Sequence, residues 1–363
     1  MLPAWRVASV LAVNAAVALV ALGRTAEAAG LVEPLTTGPP DSHKWLVQVT
    51  RAEIDLLRGA MAAAAWRWER IYAFPSVTSR VDFAYEAAPQ AVEALLWAGR
   101  PGDALDETRR ALTLFKAPDL TIVSGRLLTA GMRTCADLAE QARARHDQPG
   151  ADAAADAAGD LAAWVGQMGG APFTDHPFVV AIPAERATWD AERTRVAGPS
   201  DPDAWAGAAK AWQDLGCPHR AAYAWWRQAQ AQLDAGQPVA AAAGPLRVAA
   251  AAADGHAPLL DQIHVLADRA RIALQAQTAA HPATPASVSA ETAAPYGLTG
   301  RELAVLRLLA AGRTNAEIGA DLYISPKTAG VHVSNILRKL GVSGRVQAAA
   351  IAERAGLLHP GQT

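Results

Sequence analysis

Four times along the chain an apolar helix end runs into a glycine, and five residues beyond that glycine stands an alanine. The phrases are ALVALGRTAEAAGL (Ala18 to Leu31), ALLWAGRPGDALDETRRAL (Ala94 to Leu112), AWQDLGCPHRAAYAWWRQA (Ala211 to Ala229) and AQLDAGQPVAAAAGPL (Ala231 to Leu246). The pairs are Gly23/Ala28, Gly99/Ala104, Gly216/Ala221 and Gly236/Ala241. The glycine permits a tight turn, and the small alanine lets the next helix approach the one before it. Strand signals are scarce, because few β-branched runs alternate with period two while Ala, Leu, Glu, Arg and Gln dominate long segments. Residues 1–277 are therefore expected to form an all-α body. With 363 residues and 51% hydrophobic content, the chain has ample material for cores in more than one domain.

In GRPGDALDETRRAL the offsets from Gly99 to Ala104 and Ala111 resemble those within a tetratricopeptide hairpin. The four phrases keep no strict 34-residue period, so helical hairpins without a repeat register remain an alternative. All eleven tryptophans precede residue 227, several at helical spacing, such as Trp66/Trp68 and Trp205/Trp212 with Trp225-Trp226. They are expected to fill space between alanine-rich helices. The run 150–159, GADAAADAAG, reads as a loop or a frayed helix start.

Arg6, the apolar run from Val7 to Leu22 and Ala26-Glu27-Ala28 have the outline of an export signal. Asn14 interrupts that run, Arg24 and Glu27 crowd the small-residue site, and the Gly23/Ala28 spacing recurs far downstream, so a body helix is the expectation. The run is also short for a membrane span. Cys135 and Cys217 lie far apart without metal or redox spacing, which suits buried thiols in a reducing cytoplasm. No catalytic constellation, metal spacing or cofactor motif stands out, and an enzyme is not expected.

From Thr278 to Pro295 the sequence TAAHPATPASVSAETAAP lacks apolar periodicity and reads as a linker. Charge divides on either side of it. From Tyr296 onward there are eight Lys+Arg against four Asp+Glu, whereas the preceding residues carry 25 against 31. A small basic module on an acidic body is compatible with nucleic-acid binding.

The module, residues 296–363, is punctuated by caps. Thr299 with Glu302 and Thr314 with Glu317 form two capping boxes, each opening a helix. A turn at Tyr323-Ile324-Ser325 then leads into a third helix, with Ser325 as its cap, Pro326 at its first position and Gly341 at its stop. A short helix, a tight turn and a second helix make a helix-turn-helix, whose second helix enters the DNA major groove. Ala329, His332, Val333, Ile336, Leu337 and Leu340 recur at spacings of three and four and form the inward stripe. Lys327, Gly330, Val331, Ser334, Asn335 and Arg338 are left outward, a mixture suited to base edges flanked by phosphates. At Gly330 a missing side chain lets the backbone lie close to DNA.

Residues 298–350, LTGRELAVLRLLAAGRTNAEIGADLYISPKTAGVHVSNILRKLGVSGRVQAAA, closely resemble the LuxR-type helix-turn-helix domain of bacterial transcription regulators. The matching positions include Leu298-Thr299, Arg301-Glu302, Gly312, Thr314-Asn315, Glu317-Ile318, Ile324-Ser325, Thr328, His332-Val333, Lys339-Leu340-Gly341-Val342 and Arg345. The resemblance implies a four-helix module that dimerises through its last helix, about Gly344 to Ala355. Thr328 joins the expected DNA-binding set as a half-core, half-phosphate position, and His332 is expected to act structurally. Ala329 and Gly330 depart from the family's usual residues and bear on base preference. Val346, Ala350 and Ile351, spaced by four and five, cannot all bury in so small a module and are expected at a dimer contact.

The body, above all AWAGAAKAWQDLGCPHRAAYAWWRQAQAQL, looks like the helical region of large ATP-binding LuxR regulators. Their phosphate loop needs Gly-Lys-Ser/Thr. Here Lys44, Lys116, Lys210, Lys327 and Lys339 follow His, Phe, Ala, Pro and Arg. The chain opens inside what reads as a repeat helix, as a short relative or a chain begun at an internal start would. The expectation is a cytoplasmic bacterial regulator with double-stranded DNA as partner. It would bind as a homodimer, take a peptide, protein or small-molecule effector on its helical body, and involve no membrane. The alternative is an interaction scaffold with a degenerate DNA-binding tail.

Overall fold

The computed structural model describes residues 4–36, 45–115, 123–175, 179–274, 300–321, 333, 336–337, 339–340, 342 and 344–354. The chain falls into two compact units, Met1–Thr278 and Ala279–Thr363. Regular structure in both is helical, and among the described residues there is no strand.

The first unit begins with α1 (Ala4–Ala21), α2 (Thr25–Val32), α3 (Trp45–Leu57) and α4 (Met61–Tyr72). Two short helices, α5 (Pro75–Thr78) and α6 (Val81–Glu86), precede α7 (Ala88–Trp97), α8 (Pro101–Leu112), α9 (Gly125–Ala144) and α10 (Gln148–Gln167). It closes with α11 (Ile182–Ala197), α12 (Pro202–Asp214), α13 (Pro218–Asp234), α14 (Val239–Ala252) and α15 (Ala257–Ala270). Helix α9 is central, packing against α7, α8, α10 and α11. It comes so near α8 that a Cβ on Gly131 would lie 2.6 Å from Thr108 Cγ2.

The glycine turns form as their sequence implies. Gly23, Gly99, Gly216 and Gly236 have φ of +75°, +72°, +70° and +69°, in the left-handed region that favours glycine. Ala28, Ala104 and Ala221 are buried where the paired helices meet. The fourth pair is corrected: Ala241 is exposed, and Ala242 takes the buried place. In the first three phrases the second helix starts two residues after the glycine, whereas Pro238, extended at ψ 139°, delays α14 to Val239. That one-residue delay rotates the inward position by 100°. A fifth turn, Gly59 at φ +77° with Ala64 buried five residues on, lies hidden in an alanine run.

Residues 150–159 are a second correction, for they run from the first turn of α10 into its middle and form neither a loop nor a frayed start. The Asp147 carboxylate accepts from Gly150 N–H at 3.0 Å, and Ala154, Ala157, Ala158 and Leu161 are buried. The capped end, high alanine propensity and packing against α9 outweigh the two glycines. Trp68, Trp189, Trp205, Trp212 and Trp226 fill the core. Trp66 does not: it is half exposed, with the Arg70 guanidinium 4.7 Å above its ring. Cys135 is buried and Cys217 only half-buried.

The N-terminal apolar run is a packed helix of this unit. Ala16 and Val20 meet Ala28, Ala29 and Val32 of α2 and Ile54 and Leu57 of α3. Among the described residues no helix is long and apolar enough to cross a membrane.

Helices α9, α11 and α13 are also joined by a buried ionic knot. Arg195, only 1% exposed, donates to Asp137 at 2.6 Å, to Glu140 at 2.6 and 2.9 Å, and to Glu192, which is fully buried. Arg227 adds a second cation at 3.2 Å from Asp137, and Tyr223 Oη donates to Glu192 at 2.7 Å. Burial alone would raise the Asp137 carboxyl, but Arg195, Arg227 and Arg133 outweigh it and hold it below the usual carboxylate range.

Candidate nucleic-acid interface

The second unit is built around α16 (Gly300–Ala310), α17 (Asn315–Asp321) and a closing helix, Arg345–Arg354. The capping box at α17 is closed in both directions. Thr314 N–H and Oγ1–H both donate to the Glu317 carboxylate, at 2.7 and 2.9 Å, and Glu317 N–H donates to Thr314 Oγ1 at 3.3 Å. These hydrogen bonds, first the backbone one, hold the Glu317 carboxyl below its ordinary value. The Thr299/Glu302 box lies outside the described residues and side chains.

Gly312, at φ +79°, turns the chain between α16 and α17. Ile318 of α17 is fully buried against Val305, Leu306 and Leu309 of α16. The same core takes in Val333 and Ile336, with Leu337 and Leu340 half-buried beside them. Those four were expected on the inward stripe of the third helix, and their register is the expected one. Ala329 and His332 of that stripe lie outside the described residues.

Ala348 and Ala352 of the closing helix complete the core. Arg345 donates to the carbonyl oxygen of Arg313 at 3.1 Å, fastening the start of this helix to the turn before α17. Arg345 thus makes an architectural contact, which its position in the sequence motif does not reveal.

The expected DNA-contact residues Lys327, Thr328, Gly330, Val331, Ser334, Asn335 and Arg338 lie outside the described residues. Val346 and Ala350 belong to the closing helix, but their side chains lie outside the described ones, and Ile351 is half-buried. The closing helix thus turns Ala348 and Ala352 fully into the core and leaves Ile351 partly accessible.

Comparisons agree with this architecture. Residues 297–352 match the family model of bacterial regulatory proteins, luxR family. The chain is 51% identical over 72 residues to the transcriptional regulatory protein LiaR of Bacillus subtilis (strain 168), covering 20% of this chain and 34% of that protein. It is 50% identical over 54 residues to the nitrate/nitrite response regulator protein homolog of Haemophilus influenzae, covering 15% of this chain and 26% of the relative. With the spore germination protein GerE of Bacillus subtilis it shares 48% identity over 62 residues, which is 17% of this chain and 84% of GerE. The chain therefore spans about a third or less of the first two relatives' length and most of GerE. No solved structure matches it significantly. On the match across nearly the whole of GerE, joined to the capped helices and shared core described above, the chain belongs to the luxR family of bacterial regulatory proteins and carries that family's DNA-binding helix-turn-helix domain at its C-terminus.

Proposed function

We propose that the protein is a sequence-specific transcription regulator that reads duplex DNA as a homodimer and is controlled by its helical body. The observation that carries the DNA reading is the register of the third helix. With Val333 and Ile336 buried, a helical period carried along the same segment assigns Val331, Ser334 and Asn335 to the opposite face, toward base edges. Lys327 and Arg338 then stand at the ends of that face as phosphate contacts, with Thr328 beside them and Gly330 allowing close backbone approach. Val346, Ala350 and Ile351 are the proposed dimer contact, supported by the incomplete burial of Ile351 while Ala348 and Ala352 occupy the core.

The body is read as a repeat-like sensor module of the kind found in large ATP-binding LuxR regulators, followed by the linker at 278–295 and the DNA-binding domain at 296–363. Its glycine-turn hairpins support that reading, and the effector is taken by the body itself, whose lysines stand in no Gly-Lys-Ser/Thr phosphate loop. Selection from random duplex DNA with the full chain tests the proposal. An enriched palindrome is expected, its two halves spaced by about one helical turn. Recovery of no motif at low salt sinks it and favours an interaction scaffold whose DNA-binding domain has lost its specificity.

A further inference from the structure

Within the first unit, α1, α3, α7, α9 and α11 to α13 surround a partly open cavity of about 150 Å³. An apolar cavity of this size holds a benzene-sized molecule, so the space suits a ligand of one amino acid's bulk. The walls are of two kinds. Val17, Val20, Leu57 and Ala130 supply aliphatic surface. The lining is also densely charged, with Arg126, Arg133 and Arg220 beside Glu53, Glu93 and Glu192.

The charges are not all spent on one another. Arg126 donates to Glu53 at 3.1 Å, and Glu192 is taken by Arg195 and by Tyr223 Oη. Arg220 donates to Glu185 at 3.1 Å. Arg133 and Glu93 have only long ion pairs. The Arg133 guanidinium lies over the rings of Trp97 and Tyr223, at 4.7 and 4.5 Å, and its nearest carboxylate is Asp137 at 3.9 Å. The buried Nε–H groups of Arg133 and of Arg126 have no acceptor. Glu93 has cations only at 3.5 and 3.9 Å. Burial would raise its carboxyl, but Arg220, Arg126 and Arg133 outweigh this and keep it ionised. Arg133 and Glu93 feel one another's charge yet form no direct ion pair. The two histidines of the lining add no charge. Burial lowers His219, whose Nε2 meets the Asp254 carbonyl oxygen at 2.7 Å. It takes His256 to about 3, with Nδ1 accepting from Leu259 N–H.

A guanidinium with spare donors, a carboxylate with spare acceptors and an aliphatic wall describe the complement of one kind of small molecule. We propose that this cavity binds a free aliphatic α-amino acid, its carboxylate on Arg133 and Arg126, its ammonium group on Glu93, and its side chain against Val17, Val20 and Leu57. The ligand bridges the gap between Arg133 and Glu93 and supplies the acceptor that the two buried Nε–H groups lack. The site gives chemical identity to the effector of the proposed function, but its occupancy is independent of whether the protein binds DNA.

The test is calorimetric titration of the full chain, without DNA, with leucine, isoleucine and valine. In parallel, the oxo-acid of leucine removes the ammonium and 3-methylbutylamine removes the carboxylate. At least one of the three amino acids is expected to bind, and each single-charge analogue at least tenfold more weakly than its parent. Arg133→Lys keeps the charge but loses the Nε donor and should weaken the amino acid tenfold or more. Glu93→Gln, at a partly exposed position, should remove the preference for the amino acid over the oxo-acid while circular dichroism shows the fold retained. Absence of binding by all three amino acids, or equal binding of the oxo-acid to the unmodified protein, overturns the assignment. A selected DNA motif without amino-acid binding would separate failure of this site from failure of the regulator reading.

Discussion

Replacing Arg195 with Met tests what holds the centre of the helical body together. The guanidinium is 1% exposed and Glu192 is fully buried, so solvent screening does little to soften the loss. Asp137 and Glu140 keep Arg227 at 3.2 and 3.8 Å. Among the described residues, Glu192 keeps the Tyr223 hydroxyl at 2.7 Å as its remaining side-chain donor. Removing one partner of a buried pair in this way costs about 3–5 kcal/mol, a large share of the roughly 5–15 kcal/mol that holds a typical domain folded. The double change Arg195→Met with Glu192→Leu removes the stranded charge as well, and should recover all but about 1–2 kcal/mol, the remainder coming from the Tyr223 O–H, which loses its acceptor while its oxygen still accepts from Arg227 Nε–H. Urea unfolding followed by tryptophan fluorescence reads this unit specifically, because all eleven tryptophans precede residue 227. A cost below about 1 kcal/mol for Arg195→Met, or a double variant as unstable as the sum of its singles, would refute the claim that a stranded buried carboxylate is the dominant penalty.

The same knot predicts an acid limit. Asp137 and Glu140 are held below their usual range, burial being outweighed chiefly by Arg195; their contribution is complete above the unfolded carboxylate values of about 4 and is lost as pH falls through the lower folded values. The urea midpoint should therefore drop steeply below about pH 4, and Asp137→Asn should flatten that drop. In the DNA-binding domain, Thr314→Ala removes the oxygen that accepts from Glu317 N–H; a loss of about 1 kcal/mol should appear in the far-ultraviolet melting of the C-terminal unit while tryptophan fluorescence stays unchanged. Lys327→Ala and Arg338→Ala should weaken binding to every duplex alike and each reduce the salt slope by about one, whereas exchanging Val331, Ser334 and Asn335 should change the selected motif. Ile351→Glu should leave the monomer folded and abolish the two-to-one complex with operator DNA in sedimentation velocity.

Much of the architecture is short-range, and short-range features are legible in a sequence. The Thr314/Glu317 box, the glycine turns and the spacing of Val333, Ile336, Leu337 and Leu340 each depend on residues within a turn or two of one another. Propensity and periodicity therefore specify them without knowledge of neighbours. Where the sequence reading failed, a nearby detail or a distant surface decided. One extended proline displaced the buried alanine from 241 to 242, and packing against α9 kept the 150–159 run helical.

The charged cavity belongs wholly to tertiary structure. Its lining runs from Val17 to His256, and in the sequence its arginines and glutamates are indistinguishable from solvated residues on amphipathic helices. Arg133 becomes distinctive only when α7 and α13 bring Trp97 and Tyr223 against its guanidinium, and Glu93 only when burial and three guanidinium groups compete over its charge. Helix formation is governed by contacts three and four residues apart. Which charges are buried, paired or left over is governed by helices that meet across more than a hundred residues, and no spacing along the chain records that meeting.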